Sequence, residues 1–367
     1  MTNFTKIALS IAAIASLNAC GGGSSTPTTT TTDTTTTPTT TTPTCTTPST
    51  TVLAGDLTGC TLLTADKTWE LDGLVVVTSG AELQIEAGTT VRGHDGTGDA
   101  TSYLIVDKGA KIMAEGTVDK PIVFTSLADT QAVGLWGGVT IIGNAANAQV
   151  QPYEVNSAFV AGATDMADNS GVLKYVKILN SGITMEQDKE INGLSLVGVG
   201  SGTIIDNITI DYSDDDGIEA WGGTVNMSNI TVSNCTDDHF DIDDGFSGKV
   251  TNLKITQTSG NAAMEMSGTT AATFDGLTIV QNTSAKEGVV FFKGAGIGGH
   301  FKNAMITDNV TSATVAGALH SNDVVAIDTV SFENVTLNGT STEYITGASA
   351  AALTTKFNSG VNNTPDL

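Results

Sequence analysis

Short runs of alternating apolar and polar residues, broken by glycine, aspartate and asparagine, fill the chain from about Val52 onward. Such alternation predicts β-strands, and only residues 347–357 show the spacing of apolar residues expected of a helix. The strands predicted in the first half are 73–80, 81–88, 89–93, 103–106, 110–113, 121–125 and 138–143. The pattern therefore predicts an all-β protein.

One four-residue pattern recurs in the second half: asparagine, an apolar residue, a polar residue, then Ile, Val or Leu. Its copies begin at Asn207, Asn229, Asn252, Gly276, Asn303 and Asn334, in steps of 22, 23, 24, 27 and 31 residues. A repeat of this period built on short strands predicts a solenoid. We expect each asparagine at a tight bend, where it tolerates a left-handed backbone and hydrogen-bonds its counterpart in the next coil.

A second set of apolar residues recurs with nearly the same spacing, at Ile218, Phe240, Met264 and Val290. Two such columns indicate a parallel β-helix of about 12 coils, with apolar side chains inside and polar ones outside. The ends of a solenoid expose unpaired strand edges and need caps. We assign these caps to residues 52–72, which include Trp69, and to residues 340–367. Residues 144–170 break the rhythm and are predicted to form an inserted loop.

The N-terminus carries an export signal: Lys6 precedes a short apolar segment, residues 7–17, that is too short to span a bilayer. The following Leu-Asn-Ala-Cys resembles the lipobox of bacterial lipoproteins, which implies cleavage before Cys20 and its lipidation. An ordinary secretory signal is the alternative. The predicted organisation is a signal peptide (1–19), a lipidated cysteine and Thr/Pro-rich disordered stalk (20–51), a β-helix (52–345) and a C-terminal cap or tail (346–367).

The net charge is −24, and Arg92 is the sole arginine, so nucleic acid is excluded as a partner. The predicted partner of the anchor is a membrane. By resemblance to lipoprotein sorting, Gly21 after the cysteine favours the outer membrane. An exported compartment permits disulfides, and we expect Cys45 to pair with Cys60, whereas Cys235 is expected to be buried.

Several stretches resemble a widespread group of bacterial surface and secreted proteins. They are residues 134–143, 168–176, 190–203, 214–226 and 237–245. The proteins of this group have a right-handed parallel β-helix related in shape to that of pectate lyases, and most are uncharacterised. The resemblance therefore implies fold and location more than activity.

Acidic residues are concentrated in two consecutive predicted coils. The candidate metal ligands are Asp214, Asp215, Asp216, Glu219, Asp237, Asp238, Asp241, Asp243 and Asp244. If Phe240 and its counterparts point inward, Glu219, Asp241 and Glu265 share one outward column. Stacked carboxylates repel, which favours Ca²⁺ as a cofactor, since this ion takes six to eight oxygen ligands. The alternative is a set of solvated aspartates in tight turns.

Paired carboxylates also fit glycoside hydrolysis. Asp215, Asp237 and Asp238 resemble the aspartates of polygalacturonases, with His239 as a candidate proton shuttle. The Gly-His-Gly and Arg-Ile-Lys motifs of those enzymes are absent, and Arg92 lies far from this cluster, which argues against lyase chemistry. The aromatic residues considered for sugar stacking are Trp136, Trp221, Phe240 and Phe246.

These features favour a lipid-anchored, cell-surface module for binding or adhesion, with a glycan or a surface protein as ligand. A polysaccharide-processing enzyme that uses the acidic coils is the second hypothesis. A structural component that binds another surface protein along a strand edge is the third.

Overall fold

The computed structural model describes residues 44–146, 152–186, 189–283, 286–310, 317–322, 327, 329–340 and 343–365. Cys20 and most of the predicted stalk lie outside these residues. The strands are β1 (Val52–Leu57), β2 (Cys60–Leu63), β3 (Thr68–Val77), β4 (Glu82–Ile85), β5 (Thr90–Gly93), β6 (Tyr103–Val106), β7 (Lys111–Glu115), β8 (Ile122–Ser126), β9 (Val139–Ile142), β10 (Gly171–Ser181), β11 (Ile183–Glu186), β12 (Lys189–Ile191), β13 (Leu194–Val197), β14 (Ile204–Ser213), β15 (Ile218–Trp221), β16 (Asn226–Cys235), β17 (Phe240–Asp243), β18 (Lys249–Gln257), β19 (Ala262–Met266), β20 (Ala271–Gln281), β21 (Gly288–Phe292), β22 (Gly298–Asp308), β23 (Leu319–Ser321), β24 (Thr329–Gly339), β25 (Ile345–Gly347) and β26 (Thr364–Pro365). The helix is α1 (Ala350–Ser359), and Gly98–Ala100 form one 3-10 turn.

The strands wind into a right-handed parallel β-helix, which confirms the predicted fold class. Strands β10, β14, β16, β18, β20, β22 and β24 stack as one parallel column. Strands β13, β15, β17, β19, β21, β23 and β25 form another. The register of this second column confirms the predicted stacking of Ile218, Phe240, Met264 and Val290. Equivalent residues therefore lie one strand spacing apart, about 4.8 Å.

The asparagine column lies at a bend inside the long strands, as predicted. Asn207, Asn229, Asn252, Asn303 and Asn334 all have a positive φ of 50–55°. The side-chain amide of Asn252 donates to Oδ1 of Asn229 at 3.0 Å, and that of Asn334 donates to Oδ1 of Asn303 at 3.1 Å. Gly276 occupies the same bend with a φ of 82° but contributes no amide, which interrupts the ladder. The chain therefore bends at the same place in successive coils.

The interior is filled by apolar side chains that project inward at alternate strand positions. Four phenylalanines, Phe274, Phe301, Phe332 and Phe357, follow one another toward the C-terminal end, with ring centroids 5.3, 5.3 and 5.7 Å apart. All four are buried, and burial of each such ring contributes about 2 kcal/mol. Phe357 belongs to α1, so the helix continues the stack that the strands begin.

The segment predicted as the N-terminal cap forms the first strands of the β-helix. Residues 52–72 contain β1, β2 and the start of β3, and Trp69 is buried in the core. Thr46 also exchanges backbone hydrogen bonds with the first coil, to Cys60 and from Leu62. Cys45 and Cys60 form a disulfide with a Cα separation of 4.4 Å. The ordered domain therefore begins before residue 52, because these contacts hold the end of the predicted stalk.

The C-terminal end is packed by α1, near the predicted helix of residues 347–357. Leu353 and Phe357 of this helix are buried against the last coils. Residue 345, the predicted end of the β-helix, lies within β25, and β26 pairs with β24 beyond the helix. Among the described residues, no helix is both long enough and apolar enough to span a membrane.

Two segments depart from the coil rhythm and cover the outside of the rod. One lies within residues 144–170, as predicted, and the other is the antiparallel hairpin β11–β12. They bury a second apolar cluster that includes Tyr103, Ile105, Tyr153, Ile183 and Ile191. The expectation of polar side chains on the outer face is thus wrong for these coils, because the insertions cover that face and make it a second core.

We predict that Asn252→Ala destabilises the domain by about 2 kcal/mol, because alanine disfavours a φ of 55° and loses the amide hydrogen bond. Asn252→Gly keeps the left-handed backbone and should cost about half as much. Urea unfolding of both variants, followed by circular dichroism, measures the difference. An equal or larger loss for the glycine variant would contradict the role assigned to backbone conformation.

Candidate functional site

The outward side chains of the second strand column change from a hydroxyl, through three carboxylates, to an aromatic ring between β13 and β21. Strand register stacks Ser195 of β13 on Glu219 of β15, then Asp241 of β17, Glu265 of β19 and Phe291 of β21. This confirms the predicted outward column of Glu219, Asp241 and Glu265. The parallel register therefore places three carboxylates on consecutive rungs.

Further carboxylates lie in the turns that lead into these strands. Oδ1 of Asp216 accepts a hydrogen bond from the backbone N–H of Asp238 at 2.8 Å, and Oδ1 of Asp238 accepts one from Ala262 at 2.6 Å. Each aspartate thus binds the backbone of the following coil, which explains why this residue type recurs at the turn. Asp237 accepts a hydrogen bond from the side-chain amide of Asn261.

Together, the turns and the outward column form an open cleft of roughly 440 Å³, named here the acidic cleft. Its walls are almost entirely polar. The lining residues are Glu154, Thr184, Glu190, Asp215, Asp216, Glu219, Thr236, Asp237, Asp238, Asp241, Asn261, Glu265, Lys286, Glu287 and Lys293. The lining contains ten carboxylates and two lysines, so its charge is strongly negative when these groups are ionised.

The two insertions form one end of the acidic cleft. Glu154 and Thr184 come from the two inserted segments, and Glu190 from the hairpin that contains Thr184. Tyr153 is buried beside Glu154, and its hydroxyl is 3.2 Å from the hydroxyl of Thr140. Thr140 and Ser195, the outward residues of the preceding coils, are fully buried. The cleft is therefore closed toward the N-terminal coils.

Burial and mutual repulsion raise the pKa values of the cleft carboxyls. Burial, followed by the charge of Asp237, raises the pKa of Asp215 to about 8. Burial and Glu190 raise the pKa of Glu154 to about 7. Burial is also the main cause that raises the pKa values of Asp216, Glu219, Asp238 and Asp241 well above their usual range, with neighbouring carboxylates adding to it. A cleft with these groups favours protons or bound cations.

Positive charge is present at the opposite end of the acidic cleft. Nζ of Lys293 forms an ion pair with Oε1 of Glu265 at 2.7 Å. Burial lowers the pKa of Lys293, but the hydrogen bond and charge of Glu265, together with the charges of Asp241 and Glu287, raise it by more, so the ammonium form is favoured. Burial raises the pKa of Asp237, against the opposing charges of Lys293 and Lys286. The electrostatic environment therefore changes along the cleft.

The structure brings together part of the predicted site. Asp215, Asp216, Glu219, Asp237, Asp238 and Asp241 line the acidic cleft, whereas Asp214, Asp243 and Asp244 do not. Asp243 is the last residue of β17 and Asp244 follows it, at the opposite end of the strand from the turn that carries Asp237 and Asp238.

His239 does not suit the proposed role of proton shuttle. Its side chain is fully buried, it is not part of the cleft wall, and its Nε2 is 3.5 Å from the backbone nitrogen of Cys235. Burial lowers the pKa of His239 to about 4, so the ring is neutral near neutral pH. Cys235 is a buried free cysteine, as expected. The histidine is therefore part of the core and not of the cleft.

The aromatic residues considered for sugar stacking are also mostly internal. Trp136, Phe240 and Phe246 are fully buried, so they present no ring to a ligand. The indole N–H of Trp136 donates to the carbonyl of Leu179, which fits a structural role at a bend. Trp221 is half-buried and packs edge-on against Tyr153, with ring centroids 5.9 Å apart.

The candidate metal and catalytic residues drawn from the sequence did not include several residues of the cleft. Glu287 occupies the coil position that Asp237 and Asn261 hold in the two preceding coils, so extension of the repeat register would have found it. Lys293 lies directly after β21, so extension of the repeat register would also have identified it. Glu154 and Glu190 belong to insertions, which carry no repeat signal.

Comparison with known proteins yields a family and one solved structure. No curated protein matches the chain. The enzymatically active domain of bacteriophage CBA120 tailspike protein 2 is similar over 77% of this chain and 37% of the tailspike chain, with 14% identity and a TM-score of 0.31. This chain thus spans just over a third of that protein. The family described as pectate-lyase like beta helix domain matches residues 55–365, and the chain therefore belongs to this family.

Proposed function

We propose that the acidic cleft binds a hydroxyl-rich, neutral glycan and that the protein is a carbohydrate-binding module. The observation that carries this proposal is an open, almost wholly polar cleft assembled from consecutive coils. Its volume of roughly 440 Å³ is within the range of about 300–1,000 Å³ that is typical of small-ligand sites. Carboxylates, threonines and amides accept and donate the hydrogen bonds that sugar hydroxyls need.

The charge of the cleft selects among glycans. Ten carboxyl groups face two lysines, so an anionic polysaccharide is repelled wherever these groups are ionised and no cation neutralises them. The family to which the chain belongs is described as a pectate-lyase like beta helix domain. A carbohydrate ligand agrees with that description, and the charge of the cleft favours an uncharged one.

The closed end of the cleft restricts how a chain enters. Tyr153 and the residues it covers, Thr140 and Ser195, occupy the path along the outer face toward earlier coils. A linear glycan therefore enters from the side of Lys293 and places one terminus against Glu154 and Glu190. This arrangement favours chain ends over internal segments.

The cellular context is part of the same proposal. Lys6, residues 7–17 and Cys20 have the order of a lipoprotein signal, and the threonine-rich segment that follows has the composition of a disordered stalk. The chain is then exported and anchored in the outer membrane by lipid, with the β-helix held away from the bilayer. Adhesion to glycan at the cell surface follows from that position.

A second candidate function is glycoside hydrolysis, for which the sequence suggested Asp215, Asp237 and Asp238. The observation that favours it concerns the first two: one oxygen each of Asp215 and Asp237, together with one of Asp216, lie within 4.8 Å of one another, whereas Asp238 belongs to a different group. Retaining glycosidases hold their two carboxyl groups about 5 Å apart. In that reaction one carboxylic acid protonates the leaving oxygen while the other carboxylate attacks the anomeric carbon, and water then releases the sugar.

We predict that the purified chain binds neutral oligosaccharides from a glycan array and that Asp237→Asn weakens binding by roughly tenfold or more, through loss of a charged hydrogen-bond acceptor. Asp243→Asn is the matched control, because this aspartate has the same charge, lies in the same coil and is outside the cleft. Isothermal titration measures both affinities. Equal binding by the two variants, or preference for anionic glycans in the presence of a chelator, would refute the assignment.

For hydrolysis, we predict that the wild-type chain releases new reducing ends from a bound neutral glycan and that an Asp215→Asn/Asp237→Asn double variant loses at least 100-fold of this activity, on the order of the loss of a catalytic carboxyl. Circular dichroism checks that the variant folds. Binding without any product across the panel would leave the binding module and exclude hydrolysis of those glycans.

A further inference from the structure

Three groups of carboxylates in the acidic cleft place their oxygens close enough to share an ion. They are Asp215/Asp216/Asp237, Asp216/Glu219/Asp241 and Asp238/Glu265/Glu287, each with one oxygen per residue within 4.8 Å of the others. Proximity alone does not distinguish them, since acidic clusters are common on protein surfaces. The partners of each oxygen do distinguish them.

The group with Glu265 already has a counter-charge. Lys293 forms a 2.7 Å ion pair with Glu265, and the backbone of Ala262 donates to Asp238. In the group with Asp215, Asp237 accepts from Asn261 and faces the charges of Lys293 and Lys286. Both groups are thus at least partly neutralised by the protein itself.

The central group of Asp216, Glu219 and Asp241 has hydrogen-bond donors but, among the described residues, no ion pair. Oδ1 of Asp216 accepts from the backbone N–H of Asp238, and the charge of Lys293 acts on Asp241 only from beyond ion-pair distance. In the described part of the chain, no lysine, arginine or histidine is within ion-pair distance of these three carboxylates. Asp241 is 7% exposed, and its Oδ1 is buried with no hydrogen-bond partner among the described residues. A buried carboxylate oxygen without a partner is costly, and a bound cation removes that cost.

A second buried residue holds this group in place. Asn192 is fully buried, and its Nδ2 donates to Oε2 of Glu219 at 2.7 Å. Its Oδ1 accepts from the backbone N–H of Asp216 at 3.2 Å. One amide therefore fixes two members of the group. Asn192 acts as a positioning residue.

We propose that Asp216, Glu219 and Asp241 bind one calcium ion in the acidic cleft. The donors are all oxygens, which suits a hard cation, and the open side of the cleft admits the waters that complete a shell of six to eight ligands. Magnesium demands stricter octahedral geometry and keeps more of its water. The inference does not depend on a glycan, because the ion satisfies carboxylates that are buried in the protein alone.

The test uses calcium chloride as the only probe. The chelator-treated chain is titrated by calorimetry, and its thermal unfolding is followed with calcium, with magnesium at the same concentration and with neither. We expect one site and a rise in Tm that is larger with calcium than with magnesium. Absence of calcium-dependent heat and of a rise in Tm in the wild-type chain overturns the proposal.

Two isosteric variants locate the ion. Asp241→Asn should weaken calcium binding at least tenfold, while its metal-free Tm stays equal to or above that of the wild type, because it removes an unpaired buried charge. Asp244→Asn, in the same coil but outside the cleft, is the control and should keep the wild-type affinity, whereas Glu265→Gln tests the third group of carboxylates. A loss with Glu265→Gln but not with Asp241→Asn moves the site to the third group and refutes the assignment.

Glu219→Gln provides an independent variant if Asp241→Asn does not fold. It retains an acceptor, removes one charge and lies at a half-buried position, and we expect the same loss of calcium affinity. Calcium binding and glycan binding are scored separately, so failure of one result does not decide the other.

Discussion

In-register stacking of parallel coils is the constraint on which this structure depends. Each residue lies about 4.8 Å from its counterpart in the next coil, so side chains of the same type stack on one another from coil to coil. Where the repeated residue is apolar, as in the run from Phe274 to Phe332, stacking adds core contacts. Where it is an amide, as in Asn229 and Asn252, stacking adds hydrogen bonds. Both kinds of column stabilise the regular turn of the chain.

The same constraint has the opposite effect on carboxylates. Glu219, Asp241 and Glu265 follow one another in register, and ionised groups at that spacing repel. Backbone N–H groups relieve part of the repulsion in the neighbouring turns, and Lys293 relieves it for Glu265. Oδ1 of Asp241 receives no such partner among the described residues. A fold that stacks residues of the same type therefore concentrates carboxylate repulsion in one cleft. Such a concentration of perturbed acidic groups is typical of functional sites.

The insertions turn this charged face into a cleft. Without them, the outer face of the strands would be a continuous strip along the rod. Tyr153 covers Thr140 and Ser195, and the hairpin β11–β12 brings Glu190 to the end of the cleft. Regular coils thus supply a repeated set of polar groups, and irregular segments determine where a ligand has room to bind.

The fold was predictable because stacking of coils requires residues of the same type to recur at a regular spacing along the sequence. The positions of Asn229 and Asn252, and the outward column from Glu219 to Glu265, follow from the repeat alone. The inward burial of His239 and the position of Asp243 outside the cleft could not be predicted from the repeat. Both depend on where the short strand β17 begins and ends.

The sequence by itself determined the solenoid, its register and the concentration of acid in two coils, since these depend on contacts between residues at a fixed spacing. Only the tertiary structure decided which carboxylates share a cleft, which of them have a counter-charge and which end is closed. Those properties depend on insertions and on side-chain contacts such as that of Lys293 with Glu265, and neither has a period that the sequence could show.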